Sequence, residues 1–325
     1  MTRFAFRTDG QDAPQELLES VRLAERQGYE SAWFPGDRGM PARIGWLAGQ
    51  TRTIRFGTGI LPVFNRTATL TAETASALDN FSEHRFILGL GAGNPLAVQG
   101  MQGIPYANPL GRTRECLEII RSLLAGKKVD YAGPTYTLRG VRIPLSGPTR
   151  VPIYLAAYAP KMLELAGELA DGVLLNWPSP RYIPLALEHL ELGARRSGRT
   201  LKDIDVAAYI RVAVTDHPES VQGALARQIV SFARYPSPRA LFERGGYTQE
   251  LPLILGALER DDEEGAIAAV SERMRAELGL CGTAAFCNAE VEKFRVAGIQ
   301  LPIIAPFVFN DGGRSLENTV KAFHG

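Results

Sequence analysis

The side chains that most often carry acid–base or metal chemistry are sparse in this chain and poorly placed. None of the four histidines, His84, His189, His217 and His324, ends an apolar run of strand character. A strand-end histidine base or a His-rich metal site is therefore not supported. The three cysteines, Cys116, Cys281 and Cys287, are too few and too scattered for a disulfide framework, and the last two fit no common zinc spacing. They read as buried free thiols, and no metal is expected. What the sequence offers instead is backbone. FGTGILP (56–62), GLGAGN (89–94) and LAAYAPK (155–161) each put glycine or alanine where an apolar run gives way to a loop. Small residues at such places leave a roomy pocket lined by main chain, which suits a large flat cofactor that carries its own chemistry.

Each stretch poses its own question. In LAAYAPK, Ala156 and Ala157 end the run and Pro160 stands in the first helical turn, where its missing N–H costs nothing. The open N–H groups of that turn, the helix dipole and Lys161 would favour a phosphate, although a tight turn without ligand has the same spacing. GLGAGN approaches a dinucleotide fingerprint, but Asn94 occupies the third glycine position and the stretch follows the fourth strand, not the first. Glycines that let strand and helix pack closely account for it better. In FGTGILP, Gly57 and Gly59 interrupt a buried-strand pattern and Pro62 cannot donate to a ladder.

The elements needed to gather these positions are legible as an alternation. Apolar runs of strand character cover Phe4–Arg7, Ser31–Pro35, Ile54–Leu61, Phe86–Gly91, Pro152–Ala157, Gly172–Asn176, Val206–Val214 and Leu301–Ala305. Helical spacing lies between them, as in Leu17, Val21 and Ala24; in Leu70, Thr74, Ala77, Leu78 and Phe81; in Cys116, Ile120, Leu123 and Leu124; and in Met162, Leu165, Ala166 and Leu169. Strands this apolar need cover on both faces, and eight βα units predict an α/β fold, a (β/α)8 TIM barrel, with a doubly wound open sheet as the alternative. Two stretches break the rhythm. Residues 127–150 read as a hairpin around Gly133-Pro134 after the fourth helix, and 217–300 as a long helical insertion between the seventh and eighth strands that caps one end. No linker divides the chain, so 1–325 reads as a single domain.

A barrel places its active site at the carboxyl ends of its strands. That filter selects Arg7 and Asp9, Asp37 and Arg38, Gly59 to Pro62, Gly91 to Asn94, Ala156 to Ala159, Asn176 and Trp177, Tyr209 and Arg211, and Pro306 and Phe307. The bulk composition bounds the partners. Of 325 residues 45% are hydrophobic and 22% charged, and 36 basic side chains against 35 acidic give a net charge of +1. Neither a nucleic-acid nor a membrane-surface role for the whole molecule fits that balance. The amino terminus lacks a signal-peptide pattern and no run approaches roughly 18 apolar residues, so a cytoplasmic protein is expected.

With the motifs placed, the chain resembles the bacterial luciferase-like family, and within it the coenzyme F420-dependent oxidoreductases that include methylenetetrahydromethanopterin reductase. The resemblance rests on GTGILPVFNRTATLTAETASALDNFSEHRFILGLGAGN (57–94), LGRTRECLEIIRSLLAG (110–126), VPIYLAAYAPKMLELAGELADGVLLNW (151–177) and AGIQLPIIAPF (297–307). It implies a non-prolyl cis peptide at Gly59-Ile60, with Ile60 against one face of a deazaflavin ring and the other face open to substrate. It also implies Asp37 near the ring edge, the phosphate in the turn Ala156, Ala157, Tyr158 and Ala159, and Gly93 and Asn94 facing the cofactor. Arg7 stands where the methanopterin reductases carry a proton-transferring glutamate, and Arg38 where many relatives carry histidine, so neither role transfers. The expected activity is hydride transfer between F420 and a small organic substrate, with Asp37 and Arg7 as catalytic candidates and Trp177, Tyr209 and Arg211 as substrate contacts. An FMN-dependent monooxygenase and a non-catalytic flavin-binding barrel are the alternatives. The resemblance also suggests a homodimer, to which the apolar GWLAG (45–49) could contribute.

Overall fold

Eight parallel strands close on themselves in the computed structural model, which describes residues 3–8, 13–37, 39–145, 149–307 and 314–324. They are β1 (Ala5–Arg7), β2 (Ser31–Phe34), β3 (Arg55–Thr58), β4 (Phe86–Gly91), β5 (Ile153–Ala156), β6 (Gly172–Asn176), β7 (Asp205–Val214) and β8 (Leu301–Pro306). Each pairs with the next, and β8 returns to β1 with Ala5 opposite Ile303. The predicted (β/α)8 barrel is therefore the fold, and closure removes the edges that an open sheet would retain.

Alternation along the strands sorts side chains into two cores. Ala5, Trp33, Ile87, Tyr154, Leu174, Ala207, Tyr209, Ile303 and Ala305 fill the barrel interior, while Phe6, Phe34, Phe56 and Phe86 belong to the larger core shared with the helices. Gly57 is small because Trp33 lies against it: a Cβ there would come within 2.4 Å of the indole. The amino end of the barrel is closed by polar groups. Tyr154 donates its hydroxyl to Asp205 at 2.5 Å, and Arg3 bridges Asp205 and Glu30.

Departures from the sequence reading have local causes. The run Ile54–Leu61 is not one strand: β3 stops at Thr58, the Gly59-Ile60 peptide is cis, and Leu61–Pro62 pairs separately with Leu90 and Gly91. Thr58 bridges the interruption, its hydroxyl donating to the Gly89 carbonyl and accepting from the Gly89 N–H, both at 2.7 Å. Helix Ala68–Phe81 forms where its spacing predicts, yet its buried side is Ala68, Thr71, Ala72, Ala75 and Leu78, while Leu70 and Phe81 face outward. Helix Pro95–Gln102 was not anticipated and is capped by Asn94, whose side-chain oxygen accepts from Leu96 N–H at 2.9 Å.

The hairpin is present as strands Val129–Ala132 and Thr137–Val141 around Gly133-Pro134. The buried Glu115 carboxylate fixes its turn by accepting the N–H groups of Thr135 and Tyr136 at 3.0 and 2.9 Å. The insertion is shorter than 217–300 and less purely helical. Its helices run Gln222–Ala233, Pro236–Arg244, Glu250–Glu259, Glu263–Ala268 and Glu272–Leu278, followed by a short strand, Gly279–Gly282, parallel to the protruding end of β7. Helix Ala284–Val296 then packs against β7 and β8 as the barrel's own crossover. Cys116 and Cys287 are buried, Cys281 is half-buried, and all three are free thiols.

Candidate active site

A cavity of about 390 Å³ opens at the carboxyl ends of the strands. One wall is built from three consecutive strand ends: Gly59 and Ile60 after β3, Gly91 to Asn94 after β4, and Ala156 to Ala159 after β5. Ile60 projects into this wall and dictates its neighbours. A Cβ on Gly91 would fall 2.9 Å from Ile60 Cδ1 and 3.2 Å from Ala156 Cβ, so both partners must be small for Ile60 to seat there. Gly93 has a φ of +77° and would press Pro62 with any side chain, which is why this bend requires glycine.

The turn after β5 leads into helix Pro160–Leu169. Ala159 occupies the N-cap in an extended conformation and offers no side-chain cap, and Pro160 follows in the first turn. The helix therefore presents its positive end to the cavity without an internal acceptor to neutralise it. Lys161 does not add to this. Its ammonium lies 3.0 Å from buried Glu164, which also pairs with Arg196 at 2.7 Å and lies 3.4 Å from His189.

Tyr209 reaches across the floor from β7. It is only 7% exposed, it lines the cavity, and its hydroxyl has no hydrogen-bond partner among the described residues. Gly59 is small for its sake, since a Cβ there would stand 1.8 Å from the Tyr209 oxygen. Burial raises the phenol's pKa, while the charges of Arg7 and Arg211 act in the opposite sense. Beside it Arg211 donates to the Asn176 side-chain oxygen at 2.8 Å and stacks 4.2 Å from the Trp177 ring centroid. Burial, together with the charge of Arg7, holds the Arg211 guanidinium well below its ordinary pKa.

Of the residues singled out from sequence, Gly59, Ile60, Gly93, Asn94, Ala156, Ala157, Tyr158, Ala159 and Tyr209 line this one cavity. Asp37, Arg7, Trp177 and Arg211 do not. Asp37 is held by Arg66 in an ion pair at 3.1 Å. Trp177 is buried behind the wall, packed on Phe232 and Phe242 with ring centroids at 5.8 and 6.4 Å. Arg211 stands behind the lining Asn176, and Arg7 ends β1. Asp9 and Arg38 lie outside the described residues. Other lining residues escaped the strand-end filter. Tyr106 donates to the Gly93 carbonyl at 3.3 Å and stacks on Phe64, and the insertion contributes Phe232, Tyr235, Ser237 and Pro238. The aromatic and proline cluster FARYPSP (232–238) was the readable signal for that outer wall.

Among the described residues the lining contains no carboxylate, histidine, lysine or cysteine, and its titratable side chains are tyrosines. Burial pushes Tyr106 up to about 12 and raises Tyr158 and Tyr209, so these phenols are neutral hydrogen-bond donors. Among the described residues no group of three His, Cys, Asp or Glu side chains could hold a metal ion, and no helix is long and apolar enough to cross a membrane. The arrangement can bind, orient and exclude water, and among the described residues its lining holds no base of ordinary strength.

Comparison with known proteins agrees with this fold. The model of the family described as luciferase-like monooxygenase matches residues 1–301. The 5,10-methylenetetrahydromethanopterin reductase of Methanolobus tindarius is 32% identical over 293 residues, 89% of each chain. The enzyme of the same name from Archaeoglobus fulgidus is 30% identical over 310 residues, 93% of this chain and 92% of its own. Among solved structures, the coenzyme F420-dependent tetrahydromethanopterin reductase of Methanopyrus kandleri superposes with a TM-score of 0.85 at 26% identity, covering 98% of this chain and 96% of that one.

Proposed function

Because the chain belongs to the luciferase-like monooxygenase family, we propose that it is an F420-dependent oxidoreductase, moving a hydride between the coenzyme and a small organic substrate. The observation that carries this reading is the wall of the cavity. Gly59 and Ile60, the small residues Gly91 and Ala156, and the uncapped turn at Ala159 line it together, from an apolar ledge to a positive helix end. A volume of about 390 Å³ lies within the ordinary range for small-molecule sites.

The residues present fit a deazaflavin with a phosphate tail. Ile60 and Ala156 would support one ring face, and the N–H groups at the start of helix Pro160–Leu169 would hold the phosphate. The bound coenzyme supplies the hydride-exchanging carbon, a chemistry that no side chain here could provide. Tyr106, Tyr158, Phe232 and Pro238 line the same cavity, and a ring packed among them would be shielded from water. Asp37, fixed by Arg66, would lie at the rim as a polar contact to the ring edge. The substrate is not carried over from the reductases the chain resembles, because Arg7 would bring a positive charge where their proton-transfer glutamate stands.

The decisive experiment is titration of the purified protein with F420 and, separately, FMN. Saturable binding of F420, weakened at least tenfold by Ile60→Asp, is expected. Uptake of FMN with no binding of F420 would overturn the reading in favour of a flavin monooxygenase, and silence of an F420-loaded protein across a broad substrate panel would favour a binding protein.

A further inference from the structure

Asn176 is the last residue of β6 and pairs in register with Tyr209 on β7. Leu174, two residues earlier, belongs to the interior cluster, so alternation turns Asn176 toward the barrel axis as well, and it lines the cavity. Its surroundings hold it there. Trp177 has a φ of +54°, an uncommon conformation for a bulky side chain, and is buried with its ring centroid 4.2 Å from the Arg211 guanidinium. Arg211, two residues beyond Tyr209 on the same face of β7, donates to the Asn176 side-chain oxygen at 2.8 Å. A left-handed aromatic residue, a stacked guanidinium and a hydrogen bond thus converge on one small amide at the cavity wall.

That hydrogen bond decides which way the amide points. A guanidinium can only donate, so the Asn176 oxygen must face Arg211 and the NH2 group must turn away from it. Nδ2 has no partner among the described residues and is not buried, so it stands open to the cavity that Asn176 lines. The Tyr209 hydroxyl is also unpartnered, but it is buried against Gly59. Arg211 forms no ion pair among the described residues, and a guanidinium keeps its charge even when buried. With that charge behind its oxygen, the Asn176 amide is a stronger donor than a free asparagine. It favours an acceptor that gains negative charge over one that is cationic.

We propose that Asn176 Nδ2 donates to the substrate oxygen carried by the very carbon that exchanges the hydride, so that the substrate and product are a ketone or aldehyde and its alcohol. The assignment rests on the reading that hydride passes between F420 and a substrate in this cavity. In the reducing direction a hydride from the reduced deazaflavin forms the new C–H bond at the carbonyl carbon, and the C=O π pair moves onto the oxygen facing Asn176. A proton from water completes the alcohol, and the coenzyme is left oxidised by two electrons. Asn176 meets the charge that grows on the oxygen during this step. Arg211 and Trp177 are positioning residues that act through it. An iminium substrate, which loses positive charge on taking the hydride, gains nothing from this arrangement.

Titration of the protein with acetophenone and with its isostere α-methylstyrene, in which C=CH2 replaces C=O, tests this with and without oxidised F420. The ketone is expected to bind about fivefold or more tighter than the alkene. The infrared C=O band of isotope-labelled acetophenone should move to lower frequency on binding. Asn176→Leu should abolish both the preference and the band shift, and so should Asn176→Asp, whose carboxylate offers no donor. Arg211→Met frees the amide to turn and should weaken the band shift, which Arg211→Lys should partly restore. Equal affinity for the two probes, no binding of the ketone, an unshifted band in the wild type, or a preference that survives Asn176→Leu at unchanged thermal midpoint overturns the proposal. Should Arg211→Met fail to fold, the asparagine variants decide. Failure of the wild type to bind F420 would sink the proposed activity alone, since the ketone titration on the coenzyme-free protein remains readable; F420 binding without any ketone preference would sink only the carbonyl assignment.

Discussion

Gly59 and Tyr209 show how a functional surface is set by a pair of residues far apart in sequence. The glycine exists so that a buried hydroxyl can lie against it, and that hydroxyl satisfies no partner within the described protein. Two consequences follow in opposite directions. Gly59→Ala should cost about 1–3 kcal/mol in a urea titration, because a Cβ 1.8 Å from the Tyr209 oxygen must displace a ring that the barrel core holds. Tyr209→Phe removes the oxygen, so in the double variant part of that loss should return, the ring carbon being 3.1 Å away. Alone, Tyr209→Phe should leave stability unchanged or slightly raised, since an unpaired buried hydroxyl contributes nothing to it. A loss above about 1 kcal/mol on Tyr209→Phe would mean that the hydroxyl is satisfied in the folded protein. The sequence announced Gly59 as out of place in a strand, but it could not name what the glycine accommodates. Only closure of the barrel brings β7 to β3.

The elements that position the site were legible to the degree that they repeat. Eight strands of alternating or continuous apolar pattern and the turn at Pro160 could be placed from periodicity and punctuation, and the barrel follows from their number. The insertion could not be divided in the same way. GLCG (279–282), with two glycines in four residues, has a poor composition for a strand, yet it becomes one because the end of β7, Arg211 to Val214, protrudes and offers it a ladder. Helix Ala284–Val296 falls inside the span 217–300 that reads as insertion, yet it is the crossover that returns the chain to β8. The helix after β5 supports a prediction in which stability and binding separate. Ala159→Asp supplies the missing N-cap acceptor and should stabilise the fold by about 0.5–1 kcal/mol, read as a raised denaturation midpoint. The same carboxylate would occupy the place proposed for the coenzyme phosphate, so F420 affinity should fall by about tenfold or more. Stabilisation with undiminished F420 binding would move the phosphate elsewhere.

At the scale of the whole molecule, one outward stripe invites a second copy of the chain. Leu70, Thr74, Ala77 and Phe81 recur along helix Ala68–Phe81, Phe81 is 77% exposed, and Trp46 is exposed on the neighbouring helix Met40–Ala48. A homodimer closed over this face should appear in sedimentation, and Phe81→Glu should shift it to monomer; a monomeric wild type would remove the expectation. The barrel also carries a global signature in its tyrosines, independent of assembly. Burial raises the pKa of nine of the ten: Tyr29, Tyr106, Tyr131, Tyr136, Tyr154, Tyr158, Tyr182, Tyr209 and Tyr247, with Tyr106 and Tyr136 at about 12. Below about pH 10 folded and unfolded chains both keep these protons, and the contribution of burial is complete. Above it the unfolded chain releases protons that the folded one retains, so stability falls as pH climbs toward the folded values. Tyrosinate absorbance from these nine should therefore rise together with loss of ellipticity, not ahead of it. Several tyrosines ionising near pH 10 with the ellipticity intact would contradict the burial that closes both the barrel and the cavity above it.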